Sequence, residues 1–267
     1  MAAGTWQLHP QKQGGFQDAV SALDAARVLE VVSGKRTFDA LQTLACDVTG
    51  NGTVSALDAT RILQLAVGKI DQLPVAQKCG SDWVFVPQAA SASQQLLMQP
   101  QPSAKTCQTG GIAYQPLQGN ALQQDFTALV FGDCTGNWQP SAPGAALQVR
   151  ARTVRAYLGA PRARPGGRWL VPVYVQGDQG LEALTAHVDY DPAQADLEAA
   201  RPVGPASGAM MSHHADTSGL AAFALASAQP ISPDERPLAV LVFRAAASPQ
   251  VQLLDAVVDE TDAAIGD

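Results

Sequence analysis

The residues from Asp47 to Asp58, Asp-Val-Thr-Gly-Asn-Gly-Thr-Val-Ser-Ala-Leu-Asp, put oxygen-bearing side chains at positions 1, 3, 5, 9 and 12 of a loop and a glycine at position 6. Calcium is a hard cation that takes six to eight oxygens, and a loop of this period wraps it with a sharp turn at the sixth residue. Asp47, Thr49, Asn51 and Asp58 are the candidate side-chain ligands. Thr53 would offer its backbone carbonyl, and Ser55 an oxygen directly or through water. Only two of these ligands carry charge, and Asp58 is one methylene shorter than the usual bidentate Glu. Binding is therefore expected in the extracellular range, roughly 10⁻⁴–10⁻³ M. The alternative is an Asx/Gly turn that caps a helix without metal; the complete spacing favours calcium.

The segment just C-terminal to this loop is a repeat. Val20-Ser21-Ala22-Leu23-Asp24-Ala25 recurs as Val54-Ser55-Ala56-Leu57-Asp58-Ala59, and Arg27, Leu29, Gly34 and Lys35 recur as Arg61, Leu63, Gly68 and Lys69. Each copy has the apolar period of an amphipathic helix stopped by its glycine. Neither is long enough to be stable alone, so the two stripes are expected to pack together. The loop of the first copy is degenerate: it begins at Gln13, has Gly15 at position 3 and Asp18 where the turn wants glycine. Gln17, Ser21 and Asp24 remain as side-chain oxygens. No tight calcium is expected there, and Asp24 is assigned a structural role. A third segment, Gly132-Asp133-Cys134-Thr135-Gly136-Asn137-Trp138, echoes the Asp47 loop, but Gly144 stands at its twelfth position. A turn is the expected reading, with weak calcium as the alternative.

Cys46, Cys79, Cys107 and Cys134 show no C-x-x-C spacing and have no nearby histidine, which argues against zinc and thioredoxin-type chemistry. An even count on loop-like segments suggests two disulfides in an oxidising compartment. Of the three pairings, Cys46–Cys79 with Cys107–Cys134 is expected, because each would close a local unit; buried free thiols are the alternative.

A loop-plus-helix unit repeated after about 34 residues, with Asp at the twelfth position and Gly-Lys after the helix, resembles a type I dockerin over about residues 10–72. The resemblance implies a calcium-dependent fold that plugs into cohesin domains through its helices. Carried onto this sequence, the recognition positions are Ala22 and Leu23 in one copy and Ala56 and Leu57 in the other, with Arg27 and Arg61 one turn on. The identical pairs imply docking in either of two orientations.

Beyond residue 79 the pattern turns to strands. Trp83 to Pro87 and Phe126 to Phe131 read as short strands of a small β-subdomain. The stretch 89–105 between them reads as a surface loop. Six further strand-like segments follow, at 149–158, 169–176, 183–190, 219–226, 239–244 and 251–258, separated by Gly, Pro and Asp turns. Such spacing predicts an antiparallel sandwich. Val171-Pro172-Val173-Tyr174-Val175 before a glycine-flanked turn, Gly180-Leu181-Glu182-Ala183-Leu184 after it, Val188-Asp189-Tyr190-Asp191-Pro192 and Leu238 to Phe243 resemble a cohesin or a related carbohydrate-binding sandwich. The expected fold is thus multi-domain α + β: a dockerin-like helical pair at 5–78, a disulfide-containing β-subdomain at 79–144 and a cohesin-like jelly roll at 145–262.

Composition limits the remaining choices. The chain has 267 residues, 46% hydrophobic, 15% charged and 6% aromatic, with a net charge of −7. No basic run offers a phosphate-backbone footprint, so nucleic-acid binding is not expected. The densest arginines, Arg150 to Arg168, read as an outward strand face and a loop. No stretch approaches the ~20 apolar residues of a membrane helix. Met1 to Trp6 lacks the features of a signal peptide, and Thr5 to Leu8 reads as the last strand of a preceding module, so the chain is expected to be a fragment of an extracellular or cell-surface protein. His213-His214 reads as a solvated turn, His187 has no evident partner, and Asp189 with Asp191 reads as a turn rather than a glycosidase pair. Asp255 to Asp262 reads as a solvated acidic tail. Trp169 and Tyr174 are the candidates for stacking on a sugar ring, with core packing as the alternative. Three functions follow in order: a calcium-dependent assembly module, a carbohydrate-binding module, and a glycosidase accessory part. No catalytic constellation is present.

Overall fold

A computed structural model describes residues 4–16, 19–89, 95–103, 105, 107, 109–117, 119–139 and 154–266. Gln17, Asp18, Gly144, Arg150, Arg152 and the start of the strand expected from residue 149 lie outside them.

The repeat folds as two matched helices, α1 (Ala22–Val32) and α3 (Ala56–Ala66), with α2 (Ala40–Cys46) and α4 (Pro74–Cys79) after each. Ser21 and Ser55 are the N-caps, and each forms a capping box with the aspartate three residues on, Asp24 and Asp58. Gly34 and Gly68 follow the helices in the left-handed conformation, φ 75° and 68°, as the expected glycine stops require. Ala25, Ala26 and Val28 of α1 and Ala59, Ile62 and Leu63 of α3 are buried where the helices meet their neighbours.

Five strands complete this half: β1 (Trp6–Leu8), β2 (Trp83–Pro87), β3 (Gln95–Met98), β4 (Gly111–Tyr114) and β5 (Phe126–Val130). They form the sheets β1-β4-β3 and β2-β5. Two expectations change here. The segment at Thr5–Leu8 pairs with β4 of this same chain, Trp6 opposite Tyr114. Part of the expected loop 89–105 is β3, whose Gln-Leu-Leu-Met sequence carries no alternation to announce a strand. The β-segments pack on the helices: Trp83, Val84, Val86, Val130, Phe131 and Cys134 share one cluster with them.

The disulfides are Cys46–Cys134 and Cys79–Cys107, which overturns the expected pairing. Locality failed as a guide because the chain after β5 returns to the helices: Gly132 N–H donates to the Ala45 carbonyl at 2.8 Å. That contact sets Cys134 beside Cys46, with Cα atoms 5.6 Å apart.

The C-terminal half is a two-sheet sandwich of β6 (Val154–Leu158), β7 (Arg162–Arg164), β8 (Arg168–Gly177), β9 (Leu181–Tyr190), β10 (Ala195–Pro202), β11 (Met210–Ala215), β12 (Leu220–Ile231), β13 (Ala239–Ala245), β14 (Val251–Val258), β15 (Thr261–Asp262) and β16 (Ala264–Ile265). One sheet runs β10-β13-β8-β6-β16 with β7 beside β8; the other runs β11-β12-β9-β14-β15. Pairing is antiparallel except for β16 on β6. Alternate residues such as Phe223, Leu225, Leu184 and Val188 fill the space between the sheets. The multi-domain α + β arrangement is as expected, but β7, β10 and β11 were missed. His213-His214 lies on β11 opposite Phe223 and Ala222, not in a solvated turn. β11 is packed on both sides: Met210 reaches the helical core and Met211 the sandwich core. Its sequence therefore shows no period of two.

The outer face of the second sheet is not left to solvent. Ala222, Ala224 and Ala226 of β12 and Ala183 of β9 point away from the sandwich core and join the helical cluster, where α1 and α3 lie against β9, β11 and β12. Methyl-sized side chains let the helix backbones approach the sheet closely.

Two outcomes follow. Replacing Cys46 with Ala opens a cross-link between residues 88 apart; the loop-entropy model gives about 4 kcal/mol, measured as a fall in the chemical denaturation midpoint. Replacing Ala224 with Arg buries an unpaired charge between helices and sheet. It should detach the helical half, raising the radius of gyration in solution scattering while the sandwich stays folded.

Candidate metal loop and docking face

The loop after α2 is held by two buried carboxylates. Asp47 Oδ1 accepts from the Asn51 N–H at 3.1 Å and from the Thr49 hydroxyl at 3.2 Å, and Oδ2 accepts from the Gly52 N–H at 2.6 Å. Asp58 Oδ1 accepts from the Thr49 N–H at 2.9 Å, while Oδ2 accepts from the Ser55 N–H and hydroxyl at 2.8 and 2.9 Å. Gly50 and Gly52 have φ of 64° and 84°, so the chain turns twice within the loop. Asp58 thus joins the start of α3 to the third residue of the loop.

These residues fit calcium. Two oxygens bound at about 2.4 Å and at right angles lie about 3.4 Å apart, close to the Asp47–Thr49 spacing. A carboxylate oxygen that accepts one hydrogen bond keeps a second lone pair. Among the described residues no three Asp, Glu, His or Cys side chains converge as a metal group, so a site here relies on two carboxylates and neutral oxygens. Ser55 is engaged as a helix cap, donating to Asp58 and accepting from the Leu57 N–H, which leaves it a role through water. Lys78 donates to the Thr49 carbonyl at 2.8 Å and braces the loop from α4. Bound calcium would supply charge neutralisation and a rigid link from Asp47 to Asp58.

The two proposed recognition pairs have different fates. Ala22 and Leu23 are buried, in the cluster that contains the alanines of β12. Ala56 is exposed and Leu57 keeps 49% of its surface. Arg27 reaches across to the sandwich and donates to Glu182 Oε2 at 2.7 Å, and also to Glu30 at 3.0 Å. Ser21 Oγ donates to Glu260 at 3.0 Å. Burial pushes the Glu182 carboxyl up; Arg27 offsets this in part, and the neighbouring Glu30 carboxylate pushes it up further. Burial acts the same way on Glu30, but Arg36 and Arg27 together outweigh it and hold that carboxyl low. Arg61, the counterpart of Arg27, donates to Gln64 at 2.8 Å within its own helix.

Glu182 and Glu260 were not anticipated as contact residues. Glu182 follows a turn and Glu260 sits in what reads as an acidic tail; nothing local marks either as facing a helix. The tail is not free either: Asp259 Oδ1 accepts from the Glu182 and Ala183 N–H groups. His187, expected without a partner, meets Asp255 Oδ1 at 2.7 Å across β9 and β14. Asp191 makes the expected turn, accepting from the Ala193 N–H. Trp169 packs on the sandwich core and donates to the Ala245 carbonyl, and Tyr174 stacks on Tyr157 with centroids 5.0 Å apart.

The whole chain matches no curated protein. Its sandwich is similar to solved cohesins. A cohesin module from a family 33 glycoside hydrolase of Clostridium perfringens aligns at 10% identity over 43% of this chain and 100% of that one, with a TM-score of 0.35. A non-cellulosomal cohesin from the hyperthermophilic archaeon Archaeoglobus fulgidus aligns at 16% identity over 42% and 86%, TM-score 0.36. A type I cohesin–dockerin complex from Clostridium thermocellum aligns at 9% identity over 45% and 93%, TM-score 0.36. Residues 17–64, which contain both repeat helices and the loop between Asp47 and Asp58, match the family model of the dockerin type I domain.

Proposed function

We propose that this chain is a non-catalytic, extracellular assembly module in which calcium orders a dockerin-type helix pair, and the pair mates with a cohesin-type sandwich. One observation carries the reading. The first-repeat recognition face, Ala22, Leu23 and Arg27, lies against the outer sheet of the chain's own sandwich, with Arg27 paired to Glu182. The module is therefore self-docked through α1. The second-repeat face, Ala56 and Leu57, stays open to a cohesin-type domain of another protein. The ligands are those of the loop, Asp47, Thr49, Asn51 and Asp58, with the Thr53 carbonyl and Ser55 through water. Two disulfides support an oxidising, extracellular or cell-surface setting. A place in a polysaccharide-degrading or surface-display system belongs to the same reading.

Two outcomes are expected. At 1 mM calcium the protein gains about 0.4–1.4 kcal/mol over the chelated form, from mass action on a site of the expected affinity, read as a rise in melting temperature. Asp47→Ala reduces that gain; identical melting curves with calcium and with EDTA would refute the calcium role. Titrated against a panel of cohesin-type domains, the protein binds at least one. Leu57→Asp weakens that binding by roughly tenfold or more, the worth of one buried leucine. No binding to any member, or binding indifferent to Leu57, removes the docking role.

A further inference from the structure

The segment from Asp133 to Trp138 lies against the start of α1, and its hydrogen bonds reproduce those that Asp47 and Asp58 make in the Asp47 loop, with two more: the Gly136 N–H donates to Asp133 Oδ1 at 2.6 Å and the Cys134 N–H to Asp24 Oδ1 at 2.7 Å. Asp133 Oδ1 accepts from the Asn137 N–H at 3.1 Å and the Thr135 hydroxyl at 3.3 Å, as Asp47 does from Asn51 and Thr49. Asp133 Oδ2 accepts from the Trp138 N–H at 3.1 Å, as Asp47 does from Gly52. The twelfth position, vacant in sequence, is filled in space by Asp24. Its Oδ1 accepts from the Thr135 N–H at 2.8 Å, and its Oδ2 from the Ser21 N–H and hydroxyl at 2.7 and 3.1 Å. Asp58 does the same for Thr49 and Ser55. Gly136, like Gly50, is left-handed, with φ 72° against 64°. Trp138 replaces Gly52 at the sixth position.

The first repeat's own loop has been drawn away from this place. Gly14 N–H donates to Asp82 at 2.7 Å, and the Gly14 and Gly15 carbonyls accept from the indoles of Trp83 and Trp138 at 2.8 and 3.0 Å. The Cys46–Cys134 bridge fixes the substitute segment.

Hydrogen bonds alone would make this a metal-free knot, but one group asks for a cation. Asn137 Oδ1 is a buried acceptor with no donor among the described residues, a costly state for an amide oxygen. Its counterpart Asn51 Oδ1 accepts from the Thr53 N–H. A divalent ion would satisfy Asn137 Oδ1.

We propose that Asp133, Thr135 and Asn137, completed by Asp24 from α1, form a second calcium site assembled from two distant segments of the chain. The choice of ion rests on the reading of the Asp47 loop; the constellation does not. The test is calorimetric titration of the full, disulfide-bonded chain with calcium chloride after chelation. The wild type is expected to bind two ions. Asn137→Ala removes an oxygen that makes no hydrogen bond, so folding should be retained, as circular dichroism would check, while one ion is lost or weakened at least about tenfold. Asp133→Asn loses the same ion, Asp47→Ala loses the other, and Asp47→Ala with Asn137→Ala binds none. One ion that is lost in Asp47→Ala and indifferent to Asn137→Ala overturns the second site and leaves the first. One ion that survives Asp47→Ala and is lost in Asn137→Ala upholds the second site and overturns the first. No binding at millimolar calcium overturns both.

Discussion

Asp24 and Asp58 have no exposed surface, and each ties a helix start to a loop that arrives from elsewhere. One oxygen of each carboxylate caps its own helix through the N-cap serine; the other takes amide hydrogens from the loop. Hydrogen bonds to a charged group are worth about 1.5–3 kcal/mol each, yet taking a carboxylate out of water costs several. The arrangement stands only while each carboxylate keeps its amide and hydroxyl donors. That constraint fixes the rise of both helices from their loops, and hence the faces they present.

From that constraint the docking geometry follows. With α1 and α3 held side by side, one flank of the pair is smooth enough to lie on a sheet. Ala183, Ala222, Ala224 and Ala226 make the sheet equally smooth. Alanine contacts bury little area per residue, so the energy comes from close approach over a broad face, and the charged pairs at its edge set orientation. Arg27–Glu182 and Ser21–Glu260 are such edge contacts. The two helices are related by the repeat, but among the described residues it is α1 that carries edge contacts to carboxylates of the sandwich; the Arg61 guanidinium turns to Gln64 instead. A symmetric sequence thus gives an asymmetric arrangement, with Ala22 and Leu23 buried and Ala56 and Leu57 exposed.

Much of this was legible. The helices, their caps and stops, and the Asp47 loop follow from local rules that act within one turn or one loop, so twelve residues carry the whole signal. The sandwich was legible wherever a strand alternates between core and outside, as in β8 and β13. It failed at β11, half-buried with contacts to the core on either side, and at β3, where no alternation exists. The cysteine pairing failed for a different reason. Locality is a sound guess for a chain that closes units in order, but residues 131–138 leave the β-segments and return to α1 and α2. Glu182 and Glu260 were invisible because a contact between elements more than 150 residues apart leaves no pattern in either neighbourhood.

The Asp133 segment echoes the Asp47 loop in sequence but has no twelfth ligand downstream in the same segment. Nothing physical demands one there: a carboxylate is placed by the backbone that carries it, and α1 carries Asp24 just as α3 carries Asp58. The degenerate first loop makes room, since Lys12 packs 3.7 Å from the Trp83 ring and the glycines after it hang from two indoles. Because the replacement comes from far along the chain, its entropy of closure is larger than for a contiguous loop. The Cys46–Cys134 cross-link removes that cost in the unfolded chain, so the disulfide and the split loop are two parts of one solution.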